Sequence, residues 1–278
     1  MEFQWYPGHM TKAIRQMQSD IKLIDLIIEL LDARIPFSSR NPDIDKLGQG
    51  KARLVLLNKA DLADDKWTEK WIEHFESQGI VAIKIDSRNN KISNLINKAV
   101  EKACAEKIAA NKKKGINRPI RAMVVGIPNV GKSTFINSYA KRSVAKTGNK
   151  PGVTKGKQWI KLNKNLELLD TPGILWPKFE DRTIGLHLSF VGSINDNILN
   201  IDDLAFELIK FMRENYPGQI VERFQIEGHE DIVEEMYQIA QKRGCVMSGG
   251  RLDLEKASRI IMDEVRSGKI CPITFDRI

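Results

Sequence analysis

Residues suited to holding a phosphorylated ligand fall at 126–133, Gly-Ile-Pro-Asn-Val-Gly-Lys-Ser. An apolar run at 120–125 predicts a buried strand before them, and 134–140 predicts a helix after them. Gly126, four intervening residues and Gly131-Lys132-Ser133, set between strand and helix, make a phosphate-binding loop. Glycine lets successive backbone N–H groups turn inward around phosphate oxygens without a Cβ clash. The helix start points its positive dipole end at the same anion. Lys132 supplies a catalytic cation for the β- and γ-phosphates, and the Ser133 hydroxyl is a Mg²⁺ ligand. Asn129, Val130, Gly131, Lys132, Ser133 and Thr134 are therefore the expected nucleotide-contacting run.

A phosphate loop does not name the base, but Asn58-Lys59-Ala60-Asp61 does, because it ends an apolar run at 53–57. The Asp61 carboxylate can accept two hydrogen bonds from the N1–H and N2–H₂ edge of guanine, a donor pair that adenine lacks. The Lys59 stem would lie along the purine face. Asp170-Thr-Pro-Gly173 supplies a third piece: Asp170 to hold Mg²⁺ through water, and the Gly173 N–H to sense the γ-phosphate. Thr154, in a loop too rich in Gly and Pro for regular structure, is the hydroxyl suited to joining Mg²⁺ when triphosphate is bound. Each of these also has a plainer reading: 58–61 as a surface turn, Asp170 as a capping carboxylate, Thr154 as a loop threonine.

The elements that must position these groups alternate. Strand signals at 24–31, 53–57, 80–85 and 120–125 interleave with helix signals at 66–78 and 92–110, the latter read as one long helix. A hairpin is expected from 158–162 and 166–169, and 112–119 reads as a basic linker. This is an α/β fold with a mainly parallel sheet. From residue 182 the strand signal fades, leaving helix candidates at 202–214, 230–243 and 253–267, with Asp202 and Asp253 as starts and Gly268 as a stop. The expected division is a nucleotide domain over 1–177 and a helical domain over 178–278.

Composition narrows the class. The 278 residues are 42% hydrophobic and 29% charged, as in a soluble globular protein. The most apolar run, 23–31, is interrupted by Asp25 and Glu29, and residues 1–20 lack a signal-peptide core, so no membrane association and a cytoplasmic location are expected. Cys104, Cys245 and Cys271 lie far apart without metal-ligand spacing and fit a reducing compartment. The net charge of +8 suggests a polyanionic partner. Residues 182–278 hold 12 Lys and Arg against 16 Asp and Glu, so the basic excess lies before them.

Together these motifs resemble the translation-factor-related GTPases, in an altered order. Ordinarily the phosphate loop comes first; here 58–61 and a base loop centred on Ser87 precede 126–133, Thr154 and 170–173. With Pro7-Gly-His-Met10, that order resembles the circularly permuted ribosome-assembly GTPases of the YlqF/RbgA family over essentially the whole chain, most strongly in 1–175. The resemblance implies a circularly permuted P-loop GTPase domain followed by a small all-helical, RNA-binding domain. It implies GTP/GDP and Mg²⁺ as ligands, and binding to ribosomal RNA of a late large ribosomal subunit precursor as the GTP form, with release after hydrolysis. A monomer is expected. The base loop reads Ser87-Arg88 where Ser-Ala is usual; the contact there is a backbone N–H to guanine O6, so Arg88 need not spoil it. Ile174 stands where many GTPases carry a water-orienting glutamine, which implies slow intrinsic hydrolysis. The competing readings are a phosphoryl-transfer enzyme, or a GTPase associated with tRNA or RNA modification, using the same nucleotide site. Transfer of phosphate to water alone separates hydrolysis from phosphoryl transfer to an acceptor.

Three candidates remain two-sided. His9 either orients the attacking water, as a histidine at that place in the permuted family implies, or is a solvated or capping side chain. Asn129 either resembles the asparagine that seats K⁺ in potassium-activated GTPases or is a turn residue after Pro128. Lys256, Arg259 and Arg266, with Arg251, Lys242 and Arg243 nearby, either meet RNA phosphates or form a solvated face.

Overall fold

A computed structural model describes residues 17–89, 92–140, 158–170 and 181–278, with the backbone alone for Gln158 and Asp170. Apolar runs become the buried strands β1 Leu26–Asp32, β2 Ala52–Asn58, β3 Val81–Lys84 and β4 Ile120–Val125. The hairpin forms from β5 Gln158–Lys161 and β6 Leu166–Asp170, its turn held by the Asn165 N–H donating to Asn163 Oδ1 at 2.8 Å. The six strands make one sheet in the order β3-β2-β1-β4-β6-β5, with β5 antiparallel to β6 and the other pairs parallel. Every residue of β1 is buried, because helices or loops cover both faces of a parallel sheet. Its one central acid, Glu29, is paired with Arg53 and Arg40. Burial drives that carboxyl above the ordinary range against the pull of the two guanidinium groups.

Register sets the site. Asp32 pairs with Asn58, Glu29 with Val125, and Val124 with Asp170. The carboxyl ends of β1, β2, β4 and β6 therefore lie along one edge. Strands β2 and β3 build outward on one side of β1, and β4 opens the other side, so the order reverses between β1 and β4. Such a switch point leaves the crevice in which α/β sheets bind ligands.

Around the sheet, α1 Asp43–Leu47 is short, and α2 Asp65–Ser77 is capped by Asp64 and buries Trp71 and Phe75. The helix expected over 92–110 is two: α3 Ser93–Ala103 and α4 Ala105–Lys113, broken at the buried Cys104. The apolar stripe explains the break, since α3 buries Ile96, Ala99 and Val100 whereas α4 buries nothing that would hold it to the same line. Helix α5, Lys132–Ala140, follows the phosphate loop.

The chain divides into two compact units, Met1–Gly185 with Thr274–Ile278, and Leu186–Ile273. This differs from a single cut at residue 177, most clearly in the last residues, which return to the first unit. There the Phe275 N–H donates to the Arg34 carbonyl at 2.7 Å, and Asp276 accepts from the Ser38 N–H and hydroxyl, each at 2.7 Å. Trp71 Nε1–H donates to the Asp276 carbonyl, Thr274 and Phe275 are buried, and the Arg277 guanidinium lies over the Trp67 ring.

The described part of the second unit is helical: α6 Arg182–Phe190 leads into it, followed by α7 Ile201–Asn215, α8 Gln219–Phe224, α9 Ile232–Lys242 and α10 Leu254–Arg266. Helix α7 starts from Asn200, not Asp202, because the Asn200 side chain accepts the Asp202 and Asp203 N–H groups. Asp253 caps α10 as expected, and Gly268 after it has φ of 71°. Among the described residues, no helix is long and apolar enough to cross a membrane.

Candidate guanine-nucleotide site

The loop between β4 and α5 is shaped by close approach as much as by backbone freedom. Gly131 has φ of +101°, and a Cβ there would lie 2.5 Å from Asn58 Nδ2. At Gly126 a Cβ would meet the Leu30 carbonyl oxygen, also at 2.5 Å. Lys132 folds back over the loop and donates from Nζ to the carbonyls of Gly126 at 2.9 Å and Ile127 at 3.0 Å. Its charge therefore stands within the turn. Ser133 and Thr134 are half-buried in the first turn of α5, and the Phe135 N–H closes that turn on the Gly131 carbonyl.

Asn58 joins three segments that the sequence keeps far apart. Its Nδ2 donates to the Val130 carbonyl at 2.7 Å, and its Oδ1 accepts from the Ser87 N–H at 3.0 Å and hydroxyl at 2.7 Å. Base motif, base loop and phosphate loop thus share one buried amide. Lys59 has φ of 59°, a left-handed conformation that a lysine keeps where its surroundings fix it. Its Nζ donates to the Asn129 carbonyl at 2.8 Å and to Asp32 Oδ2 at 3.0 Å. Burial pulls the Lys59 ammonium below the ordinary lysine value, and the Asp32 carboxylate offsets part of that. Asn129 is exposed, with φ of 60°.

Asp61 sits after the turn, with its carboxylate taking a hydrogen bond from Arg88. Arg88 is anchored in turn by Asp86, through its own N–H at 2.9 Å and its Nε–H at 3.0 Å. The guanidinium and the guanine edge present similar N–H donors to one carboxylate, so Arg88 must yield when guanine engages Asp61. The sequence places Arg88 in the base loop; the structure adds its direct hydrogen bond to the Asp61 carboxylate.

The strand pairing Val124 with Asp170 puts the end of β6 beside the start of the phosphate loop. The Ser133 hydroxyl and an aspartate at that strand end are hard oxygen donors of the kind Mg²⁺ selects. His9, Thr154 and Gly173 lie outside the described residues.

The basic candidates of the second unit separate into two groups. Arg266 donates to the carbonyls of Ser189 and Phe190 and pairs with Asp196, and Arg243 pairs with Glu264 and lies over the Phe224 ring. Both brace the unit from within. Arg259 is an exposed partner of Glu255. Lys256 and Arg251 lie on the surface.

Comparison with known proteins points one way. Residues 121–243 match the family described as 50S ribosome-binding GTPase. Ribosome biogenesis GTPase A of Bacillus cereus is 51% identical over 99% of this chain and 94% of its own length. The Thermotoga maritima protein of that name is 34% identical over 98% of this chain and 94% of its own length. Among solved structures, GDP-bound YlqF has a TM-score of 0.68 at 28% identity, covering 95% of this chain and 99% of that one. GNP-bound YlqF from T. maritima has a TM-score of 0.67 at 30% identity, covering 96% and 98%.

Proposed function

This chain belongs to the ribosome biogenesis GTPase A family and hydrolyses GTP, and on that premise we propose that its GTP form binds a late large ribosomal subunit precursor and leaves after hydrolysis. The observation that carries the nucleotide part is the Asn58 amide, which ties base motif, base loop and phosphate loop into one pocket edge. The names of the relatives support a ribosome-related partner.

In this reading Asp61 accepts the guanine edge, the Lys59 stem lies on the purine face, and the Ser87–Arg88 backbone meets guanine O6. N–H groups over Asn129 to Thr134 and the Lys132 ammonium hold the phosphates. Ser133, Thr154 and Asp170 would hold Mg²⁺, which when bound neutralises charge on the β- and γ-phosphate oxygens. The Gly173 N–H senses the γ-phosphate, and Asn129 is the candidate for seating K⁺. His9 positions the attacking water, a role left open because Ile174 has no hydrogen-bonding group. His9→Ala should lower kcat in the particle-stimulated reaction with nucleotide affinity unchanged; undiminished kcat in that variant removes the assignment.

The domain is read as circularly permuted. Two facts support this: the base-motif strand β2 precedes the phosphate-loop strand β4 in the chain, and the family match begins at residue 121, after 58–61. The second unit is read as the RNA-binding part, with Lys256, Arg259, Arg251 and Lys242 among its exposed cations, in a monomeric cytoplasmic protein. Co-sedimentation with large ribosomal subunit precursors tests the whole reading. The protein should pellet with the particle in a non-hydrolysable GTP analogue and stay behind in GDP. Equal pelleting in both would overturn nucleotide-controlled release.

A further inference from the structure

We propose that Asp32 is a positioning residue for nucleotide binding: its carboxylate, clamped by Arg34, fixes Lys59 against the phosphate loop with the lysine stem ready to receive the purine face. The inference rests on the reading of Lys59 as a nucleotide contact. Asp32 is the last residue of β1, pairs in register with Asn58, and is 1% exposed. Its Oδ1 accepts from the Arg34 N–H at 3.1 Å and Nε–H at 2.9 Å, and its Oδ2 from Arg34 Nη2 at 2.8 Å and Lys59 Nζ at 3.0 Å. Arg34, 2% exposed, holds both oxygens with a planar fork, so the carboxylate cannot swing. One lone pair is left facing Lys59. The ammonium then bridges Asp32 and the Asn129 carbonyl, stretching the stem from the base motif to the phosphate loop.

A free lysine stem loses several rotatable bonds when a base lies on it, and a stem already held does not. Preorganising one such side chain is worth roughly tenfold in affinity. Burial works to raise the Asp32 carboxyl, but Arg34 and Lys59 together hold it well below the ordinary carboxylate range, so it is an anion whenever nucleotide binds. Simple electrostatics has the opposite sign. An anion near bound phosphates repels them, so if Asp32 mattered only as a charge, removing it would tighten binding.

The test is a double-mutant cycle on GDP and IDP affinity, with Asp32→Asn and Lys59→Met singly and together. Asp32→Asn should weaken GDP and IDP by the same factor, up to roughly tenfold, because Lys59 meets the base face and not its 2-amino edge. It should raise KM for GTP more than it lowers kcat. In the Lys59→Met background Asp32→Asn should cost nothing further. GDP binding that is unchanged or tighter in Asp32→Asn overturns the proposal, as does an equal loss that persists in the Lys59→Met background. If Lys59→Met alone binds GDP as tightly as the parent, the reading of Lys59 as a contact is what fails. Should the lone buried Arg34 charge prevent Asp32→Asn from folding, Asp32→Asn with Arg34→Gln removes both charges, and the same cycle is run on that pair. Parental GDP affinity in the paired variant is equally an overturning result.

Discussion

Lys132→Ala should reduce GTP hydrolysis by about 10³-fold or more at saturating nucleotide. The ammonium stands inside the turn of residues 126–133, within 3.0 Å of two loop carbonyls. Negative charge on the β–γ bridge grows as the γ-phosphate departs, and a cation already seated there needs no reorganisation to meet it. The substitution has a second effect of the same sign. Without Nζ the carbonyls of Gly126 and Ile127 lose their donor, so the loop holds its N–H groups less firmly toward the phosphates. Helix α5 should survive, since Phe135, Ile136 and Tyr139 anchor it in the core. Single-turnover phosphate release at saturating GTP is the measurement. Turnover within tenfold of the parent would mean that this loop is not where the chemistry occurs.

Asp61→Asn should cost GTP and GDP about 10²-fold or more in affinity and transfer preference to xanthine nucleotides. The amide offers one acceptor where the carboxylate offered two oxygens, and it turns an N–H₂ toward the guanine 2-amino group. A buried donor facing a donor carries an unmet desolvation cost, which is why such sites discriminate by orders of magnitude. Xanthine carries a carbonyl at that position, so the new amide meets an acceptor. Arg88 offsets only a small part of that loss, because its competing hold on Asp61 weakens when the carboxylate becomes neutral. Equilibrium titration with GDP and XDP decides it: unchanged GDP affinity in Asp61→Asn would remove 58–61 from base recognition.

Most of the sheet was legible because its strands are continuous apolar runs that end in polar, chemistry-bearing residues. Residues 53–57 and 120–125 lead directly into the base motif and the phosphate loop, and β2 and β4 do the same. The Asn163–Asn165 turn was legible because asparagine side chains close such turns locally. What stayed hidden depends on contacts across large separations. Nothing near Asn58 in sequence shows that its amide will reach Val130 and Ser87. Asp32 and Arg34 look like the polar end of a strand until register sets them beside Asn58 and Lys59. Arg266 and Arg243 read as surface cations by helical spacing, yet their partners come from other helices and loops of the same unit. The break at Cys104 was missed because helical propensity continues through it while the apolar stripe does not.

The return of Thr274–Ile278 to the first unit bears on how the protein is made. A chain synthesised from its N-terminus can begin to build its sheet early, with α2 and the 33–39 loop forming around a gap. The residues that fill the gap leave the translation machinery only after the whole helical unit has been made. Until then the Ser38 N–H and hydroxyl, the Trp71 indole N–H and the Arg34 carbonyl lack the partners that Phe275 and Asp276 provide. A product cut short anywhere in the helical unit keeps that gap for good, with apolar and polar surface laid open on the GTPase half. Synthesis through the whole helical unit is thereby a condition for the packing of the GTPase unit itself.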